Sequence, residues 1–239
     1  MGILYIVRHA QASFLQPNYD KLSPLGETQS RLLGQHWAQR KITFDRVSVG
    51  PCARQEDTVK FVSAAYHQAG LHFPEPQTLP EFDEYHAEEV LRATLPALLE
   101  KDQEIRALHA AFQTASNNAE QRATFQKLFA AVINDWVRGV IRAEGVETWA
   151  EFCARVNSGL DKFLSAATRG ERVALFTSGG PIAVATQRAL HLSPENTLQM
   201  TWMSRNSSWS EFLFSTERFT LSSFNIHEHI ADPAMLTYR

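Results

Sequence analysis

The chain has 239 residues, 44% of them hydrophobic and 21% charged, with a formal net charge of −3. That length can bury a substantial core as one domain, and the composition is that of an ordinary soluble globular protein. The charge gives no electrostatic reason for nucleic acid or an anionic membrane as partner, although a pocket can still be positive on a negative protein. Two cysteines, Cys52 and Cys153, lack metal-ligand spacing and imply no disulfide framework, so a reducing, cytoplasmic setting is expected. The start carries no secretory signal pattern, and no apolar run is long enough to span a bilayer.

The first apolar run, Ile3 to Val7, is short, β-branched and aromatic, and predicts a buried strand with Arg8 and His9 at its C-terminal end. Gly26 to Arg40 follows with Leu32, Leu33, His36 and Trp37 at helical spacing. Phe44 to Gly50 predicts a second strand and Arg54 to Ala65 a helix after it. From about Glu88 to Gly145 strand signals are absent, and Phe125, Leu128, Phe129, Val132, Ile133, Trp136, Val137 and Val140 make a helical stripe. This stretch is expected to be a helical insertion capping the site, within a single domain over 1–239. Trp149, Phe152, Val156 and Leu160 begin a core helix. Arg172 to Thr177 predicts a third strand, entering Ser178-Gly179-Gly180-Pro181 and a helix. Ser208 to Phe214 and Phe219 to Phe224 predict a terminal hairpin. Strands alternating with helices imply an α/β three-layer sandwich, with a mostly parallel central sheet and helices on both faces.

Ligands of open α/β sheets bind beyond the carboxyl ends of the strands. Three clusters fall there: Arg8-His9, Pro51-Cys52-Ala53-Arg54 and Ser178-Gly179-Gly180-Pro181. An arginine fork suits phosphate oxygens, and a neutral imidazole is a nucleophile near neutral pH. Pro181 fits a first helical turn, and the glycines before it let N–H groups face an anion. Cys52 and the pair His227 and His229 are expected to be structural.

Together these segments resemble the histidine phosphatase superfamily, the phosphoglycerate-mutase-like fold, over nearly the whole chain. Val7-Arg8-His9-Ala10 is similar to the family's opening motif and is the most specific match. Leu22-Ser23-Pro24-Leu25-Gly26-Glu27-Thr28-Gln29, the stretch Gly50 to Thr58 around Arg54, Leu79-Pro80-Glu81-Phe82-Asp83-Glu84, Gly145-Val146-Glu147-Thr148 with Arg155, Asn206-Ser207-Ser208 and His227-Glu228-His229 resemble later segments. The resemblance implies a phosphomonoesterase acting on a small phosphorylated molecule through a phosphohistidine at His9. Arg8 and Arg54 would clamp the phosphoryl oxygens, with Ser178 and Gly179 completing the phosphate site. Glu81 would protonate the leaving oxygen and then activate water, with Glu84 as the alternative and His86 as an accessory group. No metal or cofactor is implied, inorganic phosphate is a fitting ligand, and the oligomeric state is not legible.

The chain departs from the family at Ser178, where a second histidine usually stands. Serine donates a hydrogen bond without positive charge, and losing a transition-state donor costs about 100- to 1000-fold in rate. Weak turnover is therefore expected, and Ser178→His is expected to raise it if the pocket has room. The competing reading is a phosphate-ligand or protein-binding module on the same fold. A mutase is the weaker reading, because the extension after the first motif lacks the mutase elements.

Overall fold

A computed structural model describes residues 1–13, 20–166 and 168–238. Two compact units emerge, one from 1–84 with 155–239 and the other from 85–154.

The first unit is built on a six-stranded sheet. In chain order its strands are β1 (Gly2–Arg8), β2 (Arg46–Val49), β3 (Gln77–Thr78), β4 (Arg172–Thr177), β5 (Trp209–Phe214) and β6 (Phe219–Ile226). Their spatial order is β3-β2-β4-β1-β5-β6. β1 to β4 pair in parallel, and β5 and β6 add the antiparallel edge expected of the terminal hairpin. The apolar runs become strands because both their faces are covered: Leu4 to Val7 and Val173 to Phe176 are all buried.

The helices of this unit are α1 (Pro24–Gln39), α2 (Ala53–Gln68), α7 (Gly179–Leu190), α8 (Pro194–Met203) and the C-terminal part of α6 (Trp149–Ser165). Ser23 caps α1 by accepting from the Gly26 N–H, and Pro24 fills the first turn. Gly26 is required there, since a Cβ would lie 2.1 Å from the Gln11 carbonyl oxygen. That close approach fixes the chain just beyond His9. Leu33 and Trp37 of α1 and Val59, Val62 and Tyr66 of α2 pack on Tyr5, Val7, Val47, Val49, Ala174 and Phe176. Leu4, Ile6, Val173 and Leu175 alternate with these and turn to the opposite face. The apolar α7 packs against β1, β6 and α8. The doubly covered, mostly parallel sheet is the predicted fold class. The sequence reading missed β3, a two-residue exposed strand, and α8.

The second unit is helical. It contains α3 (Ala87–Lys101), α4 (Gln103–Gln113), α5 (Asn118–Val137) and the first residues of α6. Asn117 caps α5 through its side chain, and Asp102 does the same for α4. Ile105, Leu128 and Val132 form a small core with Leu91, Leu95 and Leu98. Trp136 packs on Tyr85 and on Trp149 of α6. Among the described residues no helix is long and apolar enough to cross a membrane.

Candidate active site

β1 delivers Arg8 and His9 to the carboxyl edge of the sheet. The His9 N–H extends the parallel ladder by donating to the Thr177 carbonyl at 2.7 Å. From the other side, Ser207 donates its N–H to the carbonyls of Arg8 and His9, and Asn206 Nδ2 donates to that of His9. Ser207 has φ 63°, and this left-handed turn aims its N–H at both carbonyls. The Ser207 hydroxyl donates to the Gln29 carbonyl, and His229 Nε2 lies 2.7 Å from that hydroxyl. His229 therefore supports the strand end from behind.

His9 is 6% exposed. Its Nδ1 lies 2.8 Å from the Ala10 carbonyl oxygen. A carbonyl only accepts, so Nδ1 carries the proton and Nε2 bears the lone pair. That lone pair accepts from Arg54 Nε at 3.2 Å. Burial, then the charges of Arg54 and Arg8, hold the His9 pKa well below its usual value. The imidazole is neutral, in one tautomer, with its nucleophilic nitrogen turned to a guanidinium.

Arg54 comes from the first turn of α2 and is 9% exposed. Asp20 holds it: one carboxylate oxygen accepts from the Ala53 N–H at 2.8 Å, and the other lies 2.5 Å from Arg54 Nη1. The carboxylate thus sits where a helix N-terminus favours negative charge. Thr58, one turn on, donates its hydroxyl to the Arg54 carbonyl and accepts from the Ala10 N–H, tying α2 to the chain after His9. Cys52 donates its thiol to Asp83 Oδ1 at 3.0 Å, and burial pushes its pKa up to about 12. It is a packed thiol and not a reactive thiolate.

α7 brings the third cluster. Gly179 lies against Thr201, and a Cβ there would stand 3.2 Å from that side chain and 3.7 Å from Arg8 Nε. Arg8 also donates from Nη1 to the Ser204 carbonyl. Ser178 is 0% exposed, and its Oγ accepts from Gln55 Nε2 at 2.7 Å. A histidine at 178 would lose this hydrogen bond from Gln55. The Gly180 N–H, expected to face an anion, donates to Glu84 Oε2 at 3.1 Å.

The two glutamates are three residues apart and face different neighbours. Glu81 lies on a short 3-10 turn, Pro80–Phe82, and its carboxylate pairs with Lys162 of α6. The Lys162 hydrogen bond leads the causes that hold its pKa below the usual carboxylate value. Arg155 Nη1 donates to the Glu81 and Asp83 carbonyls and fixes this segment. Glu84 is the carboxylate at the start of α7. His86, exposed at the start of α3, belongs to the second unit. The sequence reading missed Asp20, Gln55 and Lys162. Each is a common polar residue in an unremarked position, and only its contacts distinguish it.

A model of the histidine phosphatase superfamily (branch 1) matches residues 4–140 and 116–227. None of the curated proteins matches. Among solved structures, the alpha-ribazole phosphatase of Shigella flexneri aligns with TM-score 0.62 at 17% identity, covering 94% of this chain and 96% of its own. A phosphoglycerate mutase from Bacillus anthracis aligns at 0.62 and 16%, covering 96% and 95%. The mycobacterial glucosyl-3-phosphoglycerate phosphatase, solved with inorganic phosphate, aligns at 0.62 and 18%, covering 97% and 100%.

Proposed function

Because the chain belongs to the histidine phosphatase superfamily (branch 1), we propose that it is a phosphomonoesterase that turns over a small phosphorylated molecule through a phosphohistidine at His9. The observation that carries this is the state of His9: neutral, protonated on Nδ1, with the Nε2 lone pair directed at Arg54. That is the form of imidazole that attacks phosphorus. The phosphatases and the mutase among the structural neighbours support the reaction class.

In the proposed reaction Nε2 attacks phosphorus and the bond to the leaving oxygen breaks. Arg54 exchanges its hydrogen bond to His9 for one to a phosphoryl oxygen, and Arg8 neutralises charge beside it. The leaving oxygen takes a proton from a carboxylic acid. Glu84 is preferred to Glu81 on position: its carboxyl group meets the Gly180 N–H beside the proposed phosphate site, whereas the Glu81 carboxylate is taken up and held ionised by Lys162. Water then gives its proton to the Glu84 carboxylate and attacks phosphorus. The P–N bond breaks, and its electron pair returns to Nε2.

The test is rapid mixing with radiolabelled p-nitrophenyl phosphate and a quench into alkali, where a P–N bond survives. The wild-type protein is expected to carry label on His9, and His9→Ala to carry none and release no nitrophenol, with an unchanged melting temperature. Phosphate binding without label or turnover in the wild type would leave the binding module as the reading.

A further inference from the structure

We propose that Gln55 is a positioning residue that commits the Ser178 hydroxyl proton to the phosphoryl group on His9. This deepens the phosphatase reading and rests on it. The Cys52 backbone N–H can only donate, and Gln55 Oε1 lies 3.2 Å from it. That end of the amide is therefore the carbonyl. The other end, Nε2, is 2.7 Å from Ser178 Oγ and can only donate. The reverse amide orientation would set two donors against each other at Cys52.

Ser178 is thus an acceptor toward Gln55, and its own O–H must find a different acceptor. Among the described residues it donates no hydrogen bond, not even to cap α7, although the side chain is 0% exposed. Buried hydroxyls that lack an acceptor are uncommon and call for an explanation. The location supplies one. Ser178 follows Thr177, whose carbonyl receives the His9 N–H, so it stands beside His9 on the adjacent strand end. Gly179, next in sequence, abuts Arg8. An oxygen of a phosphoryl group on His9, between Arg8 and Arg54, is the acceptor that the hydroxyl lacks. Gln55 also explains how a small, uncharged side chain serves here: with its oxygen already accepting from Gln55, the hydroxyl keeps its proton for the phosphoryl group.

The experiment is a double-mutant cycle on the full chain with p-nitrophenyl phosphate turnover and vanadate inhibition. Ser178→Ala is expected to lower kcat by about 10- to 100-fold, to leave KM within about threefold and to weaken vanadate by a factor similar to that in kcat. Gln55→Met is expected to lower kcat by about tenfold in the wild-type background and by less than about twofold beside Ser178→Ala. Gln55→Asn, one methylene too short to bridge both partners, is expected to repeat this should the methionine variant not fold. Equal losses in both backgrounds would overturn the proposal, since a purely structural glutamine acts without Ser178. Unchanged kcat and vanadate inhibition in Ser178→Ala would overturn it too, while His9-dependent turnover in the wild type keeps the phosphatase reading intact. A wild-type protein without turnover would overturn both.

Discussion

α2 and α7 start at the same edge of the same sheet, each directly after a parallel strand, yet they bring different chemistry. Both N-termini hold a carboxylate from elsewhere, Asp20 on the Ala53 N–H and Glu84 on the Gly180 N–H, as the helix dipole favours. α2 adds its own cation, and Arg54 reaches the His9 lone pair. α7 adds no charge in its first turn, only two small residues and a buried apolar face. One helix start therefore supplies electrostatic attraction, and the other supplies close approach and a neutral hydroxyl. The end of a sheet marks where a site lies, but the first turn of each helix decides what the site can do.

The sharpest way to break this contrast is to remove the charge from the α2 side. Arg54→Ala is expected to lower kcat/KM by about 100- to 1000-fold, because a preorganised donor facing developing charge is lost. Lysine at 54 keeps the charge without the planar fork and should recover only part of the loss. Steady-state kinetics on p-nitrophenyl phosphate measures both. A loss under about tenfold for Arg54→Ala would mean that α7 and Arg8 carry the phosphoryl group by themselves.

On the α7 side the comparison is between the two carboxylates. Glu84→Gln is expected to lower kcat by about 100-fold, the low end of what a general acid contributes. Glu81→Gln is expected to change it by less than about threefold, since it loses a pairing to Lys162 and no proton donor. The opposite order would return the acid to Glu81.

The smallest effect concerns the scaffold behind the His9 strand end. Burial, then His36 and His227, lowers the His229 pKa to about 3 from an ordinary 6.5. The folded-state value lies below the unfolded one, so stability is fully present above pH 6.5 and is lost as pH falls toward 3. By pH 5 the unfolded chain has gained a proton that the native state refuses, a cost of about 2 kcal/mol. Urea unfolding at pH 8 and pH 5 should show His229→Gln losing about 2 kcal/mol less than the wild type over that interval. His9 behaves in the same direction, so its protonation should not impose an acid limb on kcat/KM at pH 6.5.

Much of the fold was legible because burial in a parallel sheet is written locally. Ile3 to Val7 and Val173 to Phe176 are unbroken apolar runs, and they lie in β1 and β4. β3 was not legible, as two exposed residues, Gln77 and Thr78, carry no pattern. α8 was missed because its buried positions, Thr197, Leu198 and Thr201, include one apolar residue and make no hydrophobic stripe. In the site, Arg8, His9 and Arg54 were found by their position after strands. Asp20 was not, because nothing in its neighbours announces that it will meet the start of α2, 33 residues later.

The sequence by itself determined the α/β layering, the helical character of the stretch after Glu88, and the two arginines and one histidine at the strand ends. These follow from period and position, which are properties of consecutive residues. Only the tertiary structure decided how the charges and protons are distributed among them. Glu81 and Glu84 are near neighbours in the chain, but their partners lie 81 and 96 residues away, at Lys162 and at the Gly180 N–H. The proton on His9 Nδ1 depends on the Ala10 carbonyl and on Arg54, and that of Ser178 depends on Gln55. Such assignments arise from contacts between distant segments in a low-dielectric interior, where a single donor or acceptor fixes the state of its neighbour.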